Sequence, residues 1–181
     1  MTPDSTKRTI HKGKFLQFLT RGKYEYVRRV NCRGIVIIVA VTDAQRVIFV
    51  EQYRLPVDKK VIEFPAGLVD DHRLKRNESA AAAAKRELWE ETGYRARKVE
   101  KLISGPVASG MTSDQVTMFR ASGLKKAGPG GGDQTEQITI HEVPLKSVFS
   151  WLRKMEKKGF LVEPKIYAGL YFLSGKIKNF V

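Results

Sequence analysis

The stretch GLVDDHRLKRNESAAAAAKRELWEETGY, residues 67–94, decides how this chain is read. Counting from Glu78, seven residues pass before Arg86, Glu87, an apolar Leu88, any residue, Glu90, Glu91, any residue, Gly93 and the apolar Tyr94. Asn77 or Ser79 can cap a helix, Ala80 to Ala84 are the best helix formers, and Gly93 supplies a left-handed stop. The pattern predicts a helix over residues 79–91. At about 100° per residue, Glu87 and Glu91 fall roughly 40° apart on one face, with Glu90 about 60° to the other side of Glu87. Like charges at these spacings repel, and Glu91 sits at a helix C-terminus, where the macrodipole disfavours anions. Folding alone gives no reason to crowd them.

A hard divalent cation removes the conflict, because Mg²⁺ takes carboxylate oxygens and fills its remaining positions with waters and phosphate oxygens. Such an ion polarises a phosphoryl group and lowers the pKa of water. The pattern therefore points to metal-assisted hydrolysis of a pyrophosphate. The plain alternative is a solvated acidic face on an ordinary helix.

The chain has 181 residues, one domain's worth, with 42% apolar and 29% charged residues. No apolar run approaches the roughly 20 residues that span a bilayer. MTPDSTKRTIHKGK at the N-terminus is charged and lacks the apolar core of a secretory signal. One cysteine, Cys32, permits no internal disulfide, and a cytoplasmic location is the default expectation. Thirty-three Lys and Arg against 19 Asp and Glu leave a net charge of +14, which suits a polyanionic partner. Phosphate-rich small molecules satisfy that as well as nucleic acid does, and no RNA-binding signature with interleaved aromatics favours the latter.

Along the chain, residues 1–12 read as a flexible N-terminus and 13–32 as an antiparallel hairpin, KFLQFL and KYEYVRRV across Gly22. Residues 33–181 read as the main domain. GIVIIVAV (34–41) and RVIFVEQYR (46–54) are β-branched and apolar enough for central strands buried on both faces. VIEFPAG (61–67) leads into the quoted stretch. RKVEKLISG (97–105) and QVTMFRASGL (115–124) read as further strands, KKAGPGGGDQTEQ (125–137) as a mobile glycine-rich loop, and ITIHEV (138–143) as a strand. PLKSVFSWLRKMEKKG (144–159) and KIYAGLYFLSG after Pro164 read as helices. An α/β fold with a mixed sheet sandwiched between helices fits this alternation.

The spacing from Glu78 to Tyr94 resembles the Nudix box, and taken with EQYRLPVDKKVIEFPAGLVD (51–70) the chain resembles the Nudix hydrolase family and, within it, the ADP-ribose and nucleotide-sugar pyrophosphatase branch. The resemblance runs over roughly residues 14–175. It implies a Nudix α/β/α sandwich and a metal-dependent hydrolase acting on nucleoside diphosphate sugars, with Mg²⁺, or alternatively Mn²⁺, as cofactor. It also implies a homodimer that exchanges the N-terminal hairpin. By the same resemblance Glu87, Glu90 and Glu91 are metal ligands, joined by the carbonyl of Ala66. Arg54 lies near the diphosphate, its planar fork suited to phosphate oxygens, and Tyr24, Arg29 and Glu63 complete the substrate-binding set. Glu136 on the glycine-rich loop positions or deprotonates the attacking water, with Asp133 and Glu142 as competitors. Glu90 and Arg86 complete the catalytic set, Arg86 pairing with Glu78 to orient the box.

Each position keeps a plainer reading: a solvated strand-end Arg54, ordinary strand packing for Tyr24, a solvated Glu136. Two departures stand out. Ten residues separate Gly67 from Glu78 where the family has five, which lengthens a charged surface loop. Gly110 falls where the branch often has a proline, which leaves nucleotide sugars open beside ADP-ribose. The alternatives are a dinucleoside polyphosphate or capped-RNA hydrolase, or a non-catalytic nucleotide- or RNA-binding module.

Overall fold

The computed structural model describes residues 6–30, 32–70, 77–132 and 137–174. In chain order the strands are β1 (Lys7–Lys12), β2 (Leu16–Arg21), β3 (Tyr24–Arg29), β4 (Gly34–Ala40), β5 (Arg46–Arg54), β6 (Lys59–Glu63), β7 (Ala66–Val69), β8 (Tyr94–Pro106), β9 (Gln115–Lys126), β10 (Ile138–Pro144) and β11 (Leu161–Val162). The helices are α1 (Ala80–Thr92), α2 (Val148–Lys157) and α3 (Lys165–Leu173).

Strand β4 explains the layering. Val36, Ile38 and Ala40 point into one core, which they share with Ala83, Ala84 and Leu88 of α1. Ile37 and Val39 point into the other, with Leu152 and Met155 of α2 and Ile166 and Leu170 of α3. A strand packed on both faces has no polar positions to alternate, hence the unbroken apolar run. Each Val, Ile, Leu or Met among them contributes roughly 1.5–3 kcal/mol of burial. Helix α1 therefore covers one side of the sheets, and α2 with α3 covers the other.

Two four-stranded sheets lie between these helices, ordered β7-β4-β9-β8 and β10-β5-β6-β11. The first is mixed, with β4 parallel to β9 and antiparallel to β7, and a bridge between Val41 and Val47 joins the two. VIEFPAG does not run as one strand. Pro65 has no N–H for a ladder, Phe64 is buried in the α2/α3 core, and the chain passes there from β6 in one sheet to β7 in the other.

The N-terminal hairpin acquires a third strand. Residues 1–12 read from sequence as flexible, but Lys7–Lys12 pairs with β2, and β1-β2-β3 forms a separate antiparallel sheet. All six β1 residues are exposed, so no apolar alternation signals the strand; its backbone bonds to β2 make it. The sheet is tied to the domain by the loop before β9, where Val27 N–H donates to the Met111 carbonyl at 2.9 Å and Ser113 N–H to the Val27 carbonyl at 3.2 Å.

Boundaries shift elsewhere for local reasons. Pro144 closes β10, and a tight turn over residues 145–147 precedes α2. Lys125 and Lys126 extend β9 opposite Arg95 and Tyr94, so the glycine-rich loop begins at Ala127. Among the described residues, no helix is long and apolar enough to cross a membrane.

Candidate active site

Helix α1 begins where Ser79 Oγ accepts the Ala82 N–H at 3.2 Å, a cap that contributes about 1 kcal/mol. It ends at Gly93, whose φ of 70° only glycine adopts without cost. The glycine-rich loop closes over that end: Gly131 N–H donates to the Glu91 carbonyl at 2.8 Å and Gly132 N–H to the Glu90 carbonyl at 3.1 Å. Orphan carbonyls of the last turn thereby find donors.

Two of the three box carboxylates are buried, Glu87 at 9% and Glu91 at 5% exposure, while Glu90 is half-buried. Both buried acids meet the start of β7. Glu91 Oε2 accepts the Ala66 N–H at 3.1 Å. In an antiparallel pair a residue whose N–H leaves the ladder also turns its carbonyl outward, which puts the Ala66 carbonyl on the free edge beside Glu91. Glu87 lies flat against Gly67, where an added Cβ would stand 1.9 Å from its carboxyl carbon. Gly67 is thus required by close approach.

Arg86 is the hub of the cluster. Its Nε and Nη2 hold Glu78 at 3.0 and 3.1 Å, Nη1 donates to Glu87 at 2.8 Å and to Glu90 at 3.0 Å, and Nη2 also reaches the Leu68 carbonyl at 3.0 Å. Burial would lower the guanidinium pKa, but the bonds to Glu78 and the charge of Glu87 hold it above its ordinary value. Glu78 is anchored in turn: its N–H donates to Asp70 Oδ1 at 2.7 Å, Asp70 pairs with Arg33, and Arg33 Nη2 donates to the Glu78 carbonyl at 2.8 Å.

Among the described residues, no group of three or more His, Cys, Asp or Glu stands ready as a cation cage; Arg86 meets the charge of Glu87 and Glu90. The donor chemistry nevertheless fits a hard divalent ion. The carboxylates of Glu87, Glu90 and Glu91 and the peptide edge at Ala66 offer only oxygen, with no thiolate or imidazole in the set.

Arg54 Nε donates to Glu63 Oε2 at 2.7 Å, so the two form a pair at the ends of β5 and β6. Burial would lower the Arg54 pKa, but Glu63, with Glu91 and Glu163 further off, holds it above its ordinary value. That Glu91 contributes places Arg54 within electrostatic reach of the box. Arg29 pairs with Asp114 at 3.3 Å. Tyr24 is exposed and lines a separate 290 Å³ pocket with Tyr26, Gly110 and Thr112, in which no residue of α1 takes part. Glu142 sits on β10, where it accepts from Tyr94 OH at 2.6 Å and faces Arg46, so it is not a loop acid. Glu136 and Asp133 lie outside the described residues.

Glu163 escapes the sequence reading, since Glu-Pro before a helix reads only as a helix start. Its backbone N–H bonds the Ile62 carbonyl at 3.0 Å beside Glu63. Burial pushes its pKa up against the opposing pull of Lys165, and Arg54 and Glu63 are its other charged neighbours. Gly67 opens the sequence pattern, but its contact with Glu87 is not legible there, because nothing in a glycine's neighbours reveals which side chain lies against it. Cys32 donates to the Gly34 carbonyl at 3.0 Å, and burial raises its pKa; its thiol is held as packing.

A family model described as NUDIX domain matches residues 33–158. The chain belongs to the Nudix hydrolase family. The ADP-ribose pyrophosphatase of Bacillus subtilis (strain 168) is 31% identical over 157 residues, covering 83% of this chain and 82% of that protein. The methanol dehydrogenase activator of Bacillus methanolicus is 34% identical over 122 residues, 67% of this chain and 63% of that one. In fold, the chain matches a crystal structure of an ADP compounds hydrolase with a TM-score of 0.71 at 20% identity, over 95% of both chains.

Proposed function

We propose that the chain hydrolyses the diphosphate of nucleoside diphosphate sugars, ADP-ribose and ADP- or GDP-hexoses, to a nucleoside monophosphate and a sugar phosphate. The observation that carries this reading is the convergence of Glu87 and Glu91, both buried, on the β7 edge at Ala66 and Gly67. Buried carboxylates gathered at one edge cost free energy that an ordinary solvated helix face does not incur. Relatives of the chain include an ADP-ribose pyrophosphatase, which directs the reading to this substrate class.

Glu87, Glu90 and Glu91 with the Ala66 carbonyl hold a divalent cation, Mg²⁺ or Mn²⁺, which when bound polarises the phosphoryl group and acidifies water. Arg86 fixes the rotamers of Glu87 and Glu90 and locks the helix to the Leu68 carbonyl. Arg54, oriented by Glu63, neutralises the diphosphate as a P–O bond breaks and water adds to phosphorus. Glu136 takes the proton from that water. Tyr24 and Arg29 receive the nucleoside; the pocket that Tyr24 lines holds no residue of α1, and in this reading a second copy of the chain brings Tyr24 to the site in a homodimer. The reading places the enzyme in the cytoplasm.

The test is product analysis by chromatography with Mg²⁺ and ADP-ribose, ADP-glucose, GDP-mannose, a diadenosine polyphosphate and capped RNA, beside a Glu91→Gln control. Nucleoside monophosphate from the sugar-linked members, lost in the control, is the expected result. Cleavage of the polyphosphate or capped RNA alone would refute the substrate class, and no cleavage of any member would refute catalysis.

A further inference from the structure

A concentration of positive charge lies where β8 and β9 end beside α1, away from the buried carboxylates Glu87 and Glu91. Arg95, Arg97, Lys125 and Lys126, at the paired ends of β8 and β9, line an open cleft of about 900 Å³ floored by Ser122 and Gly123. Asp43 is the one acid among the described residues that line it. The cleft adjoins a second hollow of about 410 Å³ along α1, which is lined by Lys85, Arg86 and Trp89 and shares Arg95 and Ala96.

Among the described residues, Lys85, Arg95, Arg97 and Lys125 have no carboxylate partner, whereas the neighbouring Lys98 is paired with Glu100 at 2.7 Å. Lys126 is occupied differently: its ammonium donates to the Thr92 carbonyl at 2.7 Å and lies over the Tyr94 ring. Arg97 lies across Gly123, where an added Cβ would meet its stem at 2.9 Å. Trp89 is 40% exposed and has the Arg95 guanidinium 5.3 Å from its ring centre. Solvated lysines spread over a convex surface need no ligand, but unpaired cations gathered in a concavity repel one another at no gain to the fold. A polyanion relieves them.

The shape and spacing select among polyanions. Arg95 and Arg97 are two residues apart on one strand, about 6.8 Å, comparable to the phosphate spacing of an extended single strand. A concave trough takes a chain, whereas a bilayer presents a plane. The exposed indole at one end offers an aromatic ring of the kind on which single-stranded bases stack. We propose that this cleft is a binding site for single-stranded nucleic acid, with Arg95, Arg97 and Lys125 on the phosphates and Trp89 beside a base. Trp89 stands about 200° around α1 from Glu87, so the trough faces away from the buried carboxylates Glu87 and Glu91, and Arg86 is the one residue of the box that lines the hollow beside it.

The experiment is fluorescence anisotropy of a labelled oligouridylate with the full chain, over a range of salt. Binding that weakens as salt rises is expected, and Arg97→Glu with Lys125→Glu should weaken it at least tenfold and reduce the slope of log K against log salt by about 0.7 for each lost phosphate contact. A control with the same charge change on α2, Arg153→Glu with Lys157→Glu, should bind as the wild type does. Trp89→Phe should remove the part of the tryptophan quenching that the oligonucleotide produces, leaving Trp151 as the second indole. Equal weakening by the control pair would reduce the effect to net charge and overturn the site. Undiminished binding by the cleft variant would also overturn it. Binding of anionic phosphatidylserine vesicles through Arg97 and Lys125, without the oligonucleotide, would replace nucleic acid by membrane and refute the proposal.

Discussion

Gly67→Ala tests whether the position of the Glu87 carboxylate, rather than its mere presence, sets activity. A Cβ at residue 67 would stand 1.9 Å from the Glu87 carboxyl carbon, where ordinary contact begins at 3.4 Å, so the carboxyl group must retreat by about 1.5 Å. Gly67 has no positive φ, and the substitution strains no backbone of its own. A displacement of about 1 Å at a reacting centre costs on the order of 10²-fold in rate, about 2.7 kcal/mol. We expect kcat/KM for ADP-ribose hydrolysis to fall at least that far, and Mn²⁺ affinity read by paramagnetic resonance to fall with it. The thermal midpoint should move by only a few degrees, because α1 keeps its cap and its core face. Activity within threefold of wild type would refute the close-contact argument, and a large loss of midpoint would mean that β7 had moved rather than the carboxylate.

Arg86→Lys replaces a guanidinium that reaches three carboxylates and a carbonyl with a single point donor; unpairing these half-buried charges should cost roughly 3 kcal/mol, read by urea denaturation, along with most of the activity. Chelation with EDTA should abolish hydrolysis and leave far-UV circular dichroism unchanged, since the α1 core is apolar, and Mg²⁺ or Mn²⁺ should restore turnover. Glu51 gives the pH dependence: burial would raise its pKa, but hydrogen bonds from Lys60 at 2.7 Å and from His141 at 2.9 Å outweigh this and hold it below its ordinary value. A depressed carboxylate stabilises the fold above its unfolded pKa of 4.5 and loses that contribution as pH falls through the folded value. Thermal melts of the wild type should therefore drop more steeply than those of Glu51→Gln as pH is lowered below about 4.5.

The parts legible in sequence were those encoded by local repetition or fixed spacing. The alanine run, Ser79 and Gly93 define α1 to within a residue, and the unbroken apolar run of β4 gives a strand buried on both faces. What could not be read depends on contacts between distant segments. β1 has no apolar face and exists by pairing with β2. Glu87 meets Gly67, and Arg54 meets Glu63, only after β5, β6, β7 and α1 have come together. The trough of Arg95, Arg97 and Lys125 likewise needs the register of β8 against β9, which places residues thirty apart on one rung; along the chain they are merely scattered basic positions.

The clamp formed by Asp70, Arg33 and Glu78 has a consequence for how this chain can change. The Glu78 N–H on Asp70 closes the connection at its base, so the two ends of the long, charged insertion are fastened to each other before the helix begins. Lengthening a closed loop costs only about 0.6 kcal/mol for each doubling, an entropic cost that falls on the connection between Asp70 and Glu78. A clamp at Asp70 and Glu78 holds the start of α1 by contacts that do not involve the residues between them. Loops of other lengths should be exchangeable at this point as whole cassettes, provided Asp70, Arg33 and Glu78 are retained.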